Sequence, residues 1–251
     1  MTTDKELRII KAEDLVAIEN FIGSHPLKVD LVYSKAEHKD NLFKTSIYRA
    51  DAKMLVHKEL VPIILRAADL CFERTGLLFE LKDCLRPIEA QALMLETDIV
   101  KAHPHWIEEG AKRLLTPPGG GSHPRGMAVD IILINENGDE VDMGTPFDYL
   151  TEDRENNPAA RSYTKFSDDE SYNQQILKNR GILKDAMLDA GKELGVEVWP
   201  LTEEWWDFRL MSEYTNLYAP ISDKDLPPDL RMTKEVSPPS PSHLTGFRAK
   251  I

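Results

Sequence analysis

Between Met127 and Ile134 seven of eight residues are apolar, and the exception is a carboxylate, Asp130. A run of this length, preceded by Gly126 and followed by Asn137-Gly138, reads as a β-strand. Asn and Gly tolerate positive φ, and Val141 resumes the apolar pattern beyond them, which predicts a tight hairpin turn. If the strand belongs to the core, Asp130 is a charge projecting from a buried element. Such a charge is costly unless it is paired or bound to a cation. A chain built around this segment needs a sheet to receive the strand and a partner for its acid.

The flanking sequence supplies helices and further strands. Leu55, Leu60, Ile63, Ile64, Ala67, Ala68 and Cys71 recur at helical spacing within 51–75, and Gly76 provides a stop. A second helix is expected from Pro87 to the break at Pro104, and a third from Ile182 to Leu194, ahead of Gly195. Leu77 to Lys82 and Val196 to Trp199 read as strands. This irregular alternation predicts an α+β fold, a single domain whose central antiparallel sheet is flanked by helices. With 251 residues, 41% of them hydrophobic, the chain can bury a core without disulfides. The acidic run Thr151 to Ser171 reads as a long exposed connection. Five prolines between Leu226 and Phe247 argue against regular structure there, so we expect a domain over 1–225 and a wrapped arm or mobile tail over 226–251.

A formal net charge of -12, with no basic stripe interleaved with aromatics, speaks against nucleic acid as a partner. The first residues mix both charges and lack the pattern of a secretory signal. No apolar stretch approaches the roughly 20 residues that span a bilayer, so the expectation is a cytoplasmic protein without a membrane segment. Two cysteines, Cys71 and Cys84, are too few for a disulfide framework and lack zinc-type spacing. Cys84 beside Arg86 could be a nucleophile, but no histidine motif is arranged to activate it.

Three stretches carry chemistry. In Gly119-Gly120-Gly121-Ser122-His123-Pro124-Arg125-Gly126-Met127-Ala128-Val129-Asp130 a glycine-rich loop presents a histidine ahead of the strand acid. A divalent metal shared by His123 and Asp130 would answer the buried charge, since imidazole and carboxylate are ordinary zinc ligands. The alternative is that Asp130 caps a turn or pairs with Arg125 while His123 is exposed. No Gly-Lys-Ser/Thr follows the glycines, so a phosphate loop is weakly supported. In Glu203-Glu204-Trp205-Trp206-Asp207 two acids flank a pair of tryptophans. Glu204 and Asp207 share a face in a helix and diverge in a strand without a bulge, so the local conformation stays open. One acid could hold a metal while the other moves protons; the alternative is a Trp-rich core edge with solvated acids. In Asp83-Cys84-Leu85-Arg86-Pro87 the guanidinium suits either an ion pair with Asp83 or stabilisation of a tetrahedral oxyanion.

Taken in order, these stretches resemble the D-Ala-D-Ala dipeptidase branch of the zinc D,D-peptidases, which includes the vancomycin-resistance dipeptidases. That family has an arginine before proline (Arg86 here), a Ser-His-x-x-Gly-x-Ala-x-Asp motif (Ser122 to Asp130) and a final Glu-x-x-His enclosing two tryptophans. Asp30-Leu31-Val32-Tyr33, Met143-Gly144-Thr145-Pro146-Phe147-Asp148 and Asn179-Arg180 resemble further family segments, so the likeness extends from about Asp30 to Phe208. It implies a hedgehog/D,D-peptidase-like fold and hydrolysis of a small dipeptide by metal-activated water. His123, Asp130 and Asp207 would hold Zn2+. Glu204 would be general base and acid, Arg86 would stabilise the oxyanion, and Asp148 and Ser122 would contact substrate, Asp148 at its amino terminus. The chain departs from the pattern at Asp207, where the family has histidine, and at Gly121, where the resistance enzymes have serine. After His123 the sequence has just one histidine, His243 in the proline-rich segment. An Asp207 ligand makes the set more anionic and more tolerant of Mn2+ or another hard divalent ion. The alternative is a catalytically impaired relative that binds a peptide or small ligand.

Overall fold

The computed structural model of the protein describes residues 6–108 and 113–234. The expected Met127 to Ile134 strand forms as β5 (Ala128–Ile134), and all seven of its residues are buried. It lies at the centre of a five-stranded sheet with β2 (Leu27–Val29), β4 (Leu78–Asp83), β6 (Val198–Pro200) and β7 (Asp207–Leu210), in the order β2-β4-β5-β7-β6. All neighbours pair antiparallel except β2 and β4 at one edge, which run parallel. β1 (Leu15–Ala17) and β3 (Leu55–His57) form a separate two-stranded sheet.

Two long helices pack on each other beside this sheet, α1 (Val61–Thr75) against β4 and α4 (Glu170–Glu193) against β6. The architecture is the α+β arrangement expected, with corrections at the helix boundaries. α1 starts at Val61, ten residues later than 51–75 predicts, because Leu55–His57 hydrogen-bond to β1 instead and Pro62 suits a first turn. The Pro87 to Pro104 helix is broken into α2 (Ile88–Leu95) and α3 (Asp98–Ala102). α4 starts at Glu170, capped by the Asp169 side chain on the amides of Ser171 and Tyr172, so the exposed connection ends sooner than expected. A further short helix, α5 (Ser212–Thr215), follows β7.

The Asn137-Gly138 turn is present, with Gly138 at φ 89° and the Val141 amide donating to the Leu133 carbonyl at 2.9 Å. Beyond the turn a single bridge, Ile134 to Glu140, stands in place of a full second strand. The described part of the proline-rich segment is packed down. Asp223 accepts hydrogen bonds from the amides of Met232 and Thr233, and the Arg49 amide donates to the Met232 carbonyl at 2.7 Å. His243 and the rest of that segment lie outside the described residues. Among the described residues no helix is long and apolar enough to cross a membrane.

Candidate active site

The sheet register sets three aspartates side by side. Asp83 on β4 is opposite Asp130 on β5, and Asp130 is opposite Asp207 on β7. Like charges directly across strands repel, and all three residues are buried. The two outer acids each have an arginine. Arg86 donates Nε and Nη2 to Asp83 Oδ2 at 2.8 and 2.6 Å, and Tyr48 donates to Asp83 Oδ1 at 2.7 Å. Arg209 grips Asp207 with two parallel bonds, Nε to Oδ1 at 2.7 Å and Nη2 to Oδ2 at 2.6 Å. Burial works against the charge of Asp207, but Arg209 outweighs it and holds the carboxyl well below the usual carboxylate range. The middle acid has only a longer contact, Arg86 Nη2 at 3.7 Å from its Oδ2, and Asp130 Oδ1 is buried without a hydrogen bond. Burial pushes its pKa up.

His123 points at that middle acid. It opens a short 3-10 turn, His123–Arg125, closed by Gly126 at φ 63°. A Cβ at Gly126 would lie 3.1 Å from the His57 amide nitrogen, whose hydrogen goes to the Gly126 carbonyl, so this close approach needs glycine. The imidazole Nδ1 donates to the Cys84 carbonyl at 2.7 Å, which fixes the ring and turns Nε2 inward. Nε2 lies 3.6 Å from Asp130 Oδ1 and 3.4 Å from Asp207 Oδ2. Burial opposes charge on the ring, but Asp130 prevails and raises its pKa to about 10. Arg125 donates to the Gly119 and Gly121 carbonyls at 3.2 and 2.6 Å, so it braces the glycine loop and does not pair with Asp130. His123 is buried, contrary to the exposed alternative.

Arg86, Ser122, His123, Asp130, Asp148, Glu204 and Asp207, remote in sequence, all line one cavity of about 90 Å³. Glu204 sits in the turn between β6 and β7, which resolves the open question about its orientation: neither helix nor strand, the turn lets it face the cavity together with Asp207. Its carboxylate makes no hydrogen bond within the described residues, and burial, with Asp207 and Asp130 nearby, raises its pKa to about 8. Asp148 adopts a left-handed backbone, φ 57°, a strained conformation for a residue with a side chain. Tyr33 donates to its Oδ2 at 2.9 Å, and burial raises its pKa to about 7. Cys84 is buried, donates weakly to the Gly126 carbonyl, and burial pushes its thiol pKa up, which removes it as a nucleophile.

Comparison with known proteins decides what this cavity belongs to. The sequence profile described as D-ala-D-ala dipeptidase matches residues 14–224. The chain belongs to the D-ala-D-ala dipeptidase family. It is thereby a hydrolase of the metallopeptidase type. The D-alanyl-D-alanine dipeptidase of Escherichia coli (strain K12) is 27% identical over 184 residues, covering 73% of this chain and 79% of that protein. The crystal structure of the Serratia marcescens L-Ala D-Glu endopeptidase ChiX shares 17% identity, covers 64% of this chain and 84% of its own, and has a TM-score of 0.34, too slight a likeness to bear on the fold.

The donor set of this dipeptidase-family chain fits one divalent cation. His123 Nε2 faces a carboxylate oxygen on either side, the orphaned Asp130 Oδ1 and Asp207 Oδ2, while the three residues whose donor atoms lie mutually close enough to share an ion are Asp83, His123 and Asp130. Arg209 alters the arithmetic of Asp207. A histidine, an aspartate and an arginine-paired aspartate carry the same net charge as two histidines and one aspartate. Arg209, Tyr48 and the place of Asp83 in the row carry no motif in the sequence. Asp207 and Arg209 are two apart on β7, and strand periodicity puts them on one face, but that signal is readable only once the segment is known to be a strand.

Proposed function

We propose that the protein hydrolyses D-Ala-D-Ala or a related small dipeptide with the help of one divalent metal ion, Zn2+ or Mn2+. The observation that carries this reading is the row of three aspartates, in which the outer two have arginines and the middle one, beside His123 Nε2, has an unsatisfied buried oxygen. His123, Asp130 and Asp207 would hold the ion, which when bound supplies Lewis acidity toward water and the scissile carbonyl.

The chain's own groups do the rest. Glu204, unbonded and facing the cavity, takes a proton from the attacking water and gives it to the departing nitrogen. Burial raises its pKa, which makes the carboxylate a stronger base for that proton. Arg86 keeps Nη1 free of hydrogen bonds to the protein within the described residues, and this edge stabilises the oxyanion while Asp83 fixes the other. Asp148, oriented by Tyr33, pairs with the substrate ammonium, and Ser122 lines the same wall. Pairing with a free amino terminus in a small cavity restricts the substrate to very short peptides.

A second reading, a pocket retained for binding without catalysis, draws on the fact that Arg209 occupies both oxygens of Asp207. Metal content of protein purified without added metal, together with D-alanine release by native and Glu204→Gln protein, separates the two. Near-stoichiometric metal and turnover lost on substitution support the peptidase. Neither metal nor turnover after addition of zinc or manganese supports the binder.

A further inference from the structure

Beside the catalytic cavity lies a second, larger one of about 270 Å³, lined by Arg113, Arg154 and Arg209. The two are continuous: Leu114, Leu115, Thr116, Leu150, Glu204 and Arg209 border both. Asp148 and Arg86 border the catalytic cavity and not this annex. Three arginines round one opening are unexpected in a chain of net charge -12. Arg209 is neutralised by Asp207, but Arg113 and Arg154 have no acidic partner among the described residues. Arg154 donates to the Arg113 carbonyl, a bond that neutralises neither guanidinium. Of the acids present, Glu203 is exposed and accepts the Thr202 hydroxyl at 2.6 Å, and Glu204 belongs to the reaction itself.

The annex can be oriented on the substrate, given the reaction proposed above. Glu204 delivers a proton to the departing nitrogen, so the departing residue lies against Glu204, where the annex opens. The ammonium end lies at Asp148, which borders the catalytic cavity and does not line the annex. We propose that the annex is a subsite for an anionic side chain, a carboxylate of the aspartate or glutamate type, on the departing residue of the dipeptide, with Arg113 and Arg154 as the recognising groups. The small catalytic cavity then takes a small first residue, and the annex selects an acidic second one. Arginine suits this task because its planar fork matches a carboxylate.

The test compares Ala-Glu with Ala-Gln, which are nearly isosteric and differ in charge, in all four stereochemical combinations. Binding is measured by calorimetry on Glu204→Gln protein, which holds the dipeptide uncut, with and without Arg113→Gln and Arg154→Gln. The expected result is an Ala-Glu preference of about tenfold, the low end for a charge-assisted hydrogen bond because Arg154 is exposed. The preference should collapse when both arginines are replaced and weaken with added salt. Equal binding of the two dipeptides, a preference that survives both substitutions, or no binding of either dipeptide overturns the subsite. Absence of turnover by the native protein with a retained preference counts against the proposed reaction and for the subsite, so the two failures are distinguishable.

Discussion

Replacing Arg209 with methionine tests whether the Asp207-Arg209 pair is what allows aspartate at that position. Asp207 has 1% of its side chain exposed and Arg209 has 18%, so the substitution leaves a buried carboxylate without its strongest partner. Breaking a buried pair costs about 3–5 kcal/mol, and the low end applies here because Arg209 is partly solvated and His123 Nε2 remains 3.4 Å from Asp207. A loss of about 3 kcal/mol lowers Tm by roughly 6–12 °C in a protein of this size. That holds in chelator. With zinc or manganese present, the metal supplies the missing positive charge, so the metal-induced rise in Tm should be larger in Arg209→Met than in the native protein. The assay is thermal unfolding of both proteins in chelator and in excess metal. An unchanged Tm in chelator would show that the pair contributes nothing. A metal-induced rise no larger than the native one would show that Asp207 does not share its charge between arginine and metal, and the reasoning would fail.

Glu204→Gln should lose at least about a hundredfold in kcat with an unchanged circular dichroism spectrum, since it removes the proton carrier and no structural hydrogen bond. A comparable rate in the variant would remove Glu204 from the mechanism. Asp148 must be ionised to pair with an ammonium, and burial places its pKa at about 7, so KM should rise as pH falls below about 7. Asp148→Asn should flatten that dependence, which a pH series of initial rates reads directly. Asp207→His alone leaves Arg209 unpaired beside the site, so it should bind zinc less tightly than the Asp207→His, Arg209→Met double variant; equal affinities by competitive chelator titration would contradict the coupling. Gly126→Ala should cost more than about 1 kcal/mol in denaturant unfolding, because the residue sits at φ 63° and its Cβ would meet the His57 amide.

The central strand and its turn are legible in the sequence because a continuous apolar run with one acid has few other readings. The start of α4 is not, because its buried face there is polar: Asn173, Asn179 and Arg180 point inward and bond to backbone groups, with Arg180 reaching the carbonyls of Met143, Pro158 and Ala160. A hydrophobic period cannot find a helix whose inner face is made of amides and a guanidinium. β3 is hidden in the sequence because Leu55 falls in phase with the α1 pattern, and its pairing with β1 is a long-range fact. The residues of the cavity are legible through their motifs, and the structure brings all seven to the lining of one cavity. Their charge balance is not legible, since it depends on which strands are neighbours and on a register shift between Leu81 and Asp83 that brings Asp83 opposite Asp130.

The pairing of Asp207 with Arg209 has a consequence for how such a site could arise. An aspartate introduced alone would add an unopposed negative charge to a row that already holds two. An arginine introduced first, two residues along the strand, would sit at the cavity rim, where water can solvate it until the aspartate arrives. On charge alone, arginine at 209 before aspartate at 207 is the less costly order for folding, at some expense in metal affinity while the arginine is unpaired. Relatives with aspartate at this position should also carry a cation on the same strand face, and living intermediates should have the arginine with the histidine, not the aspartate without the arginine.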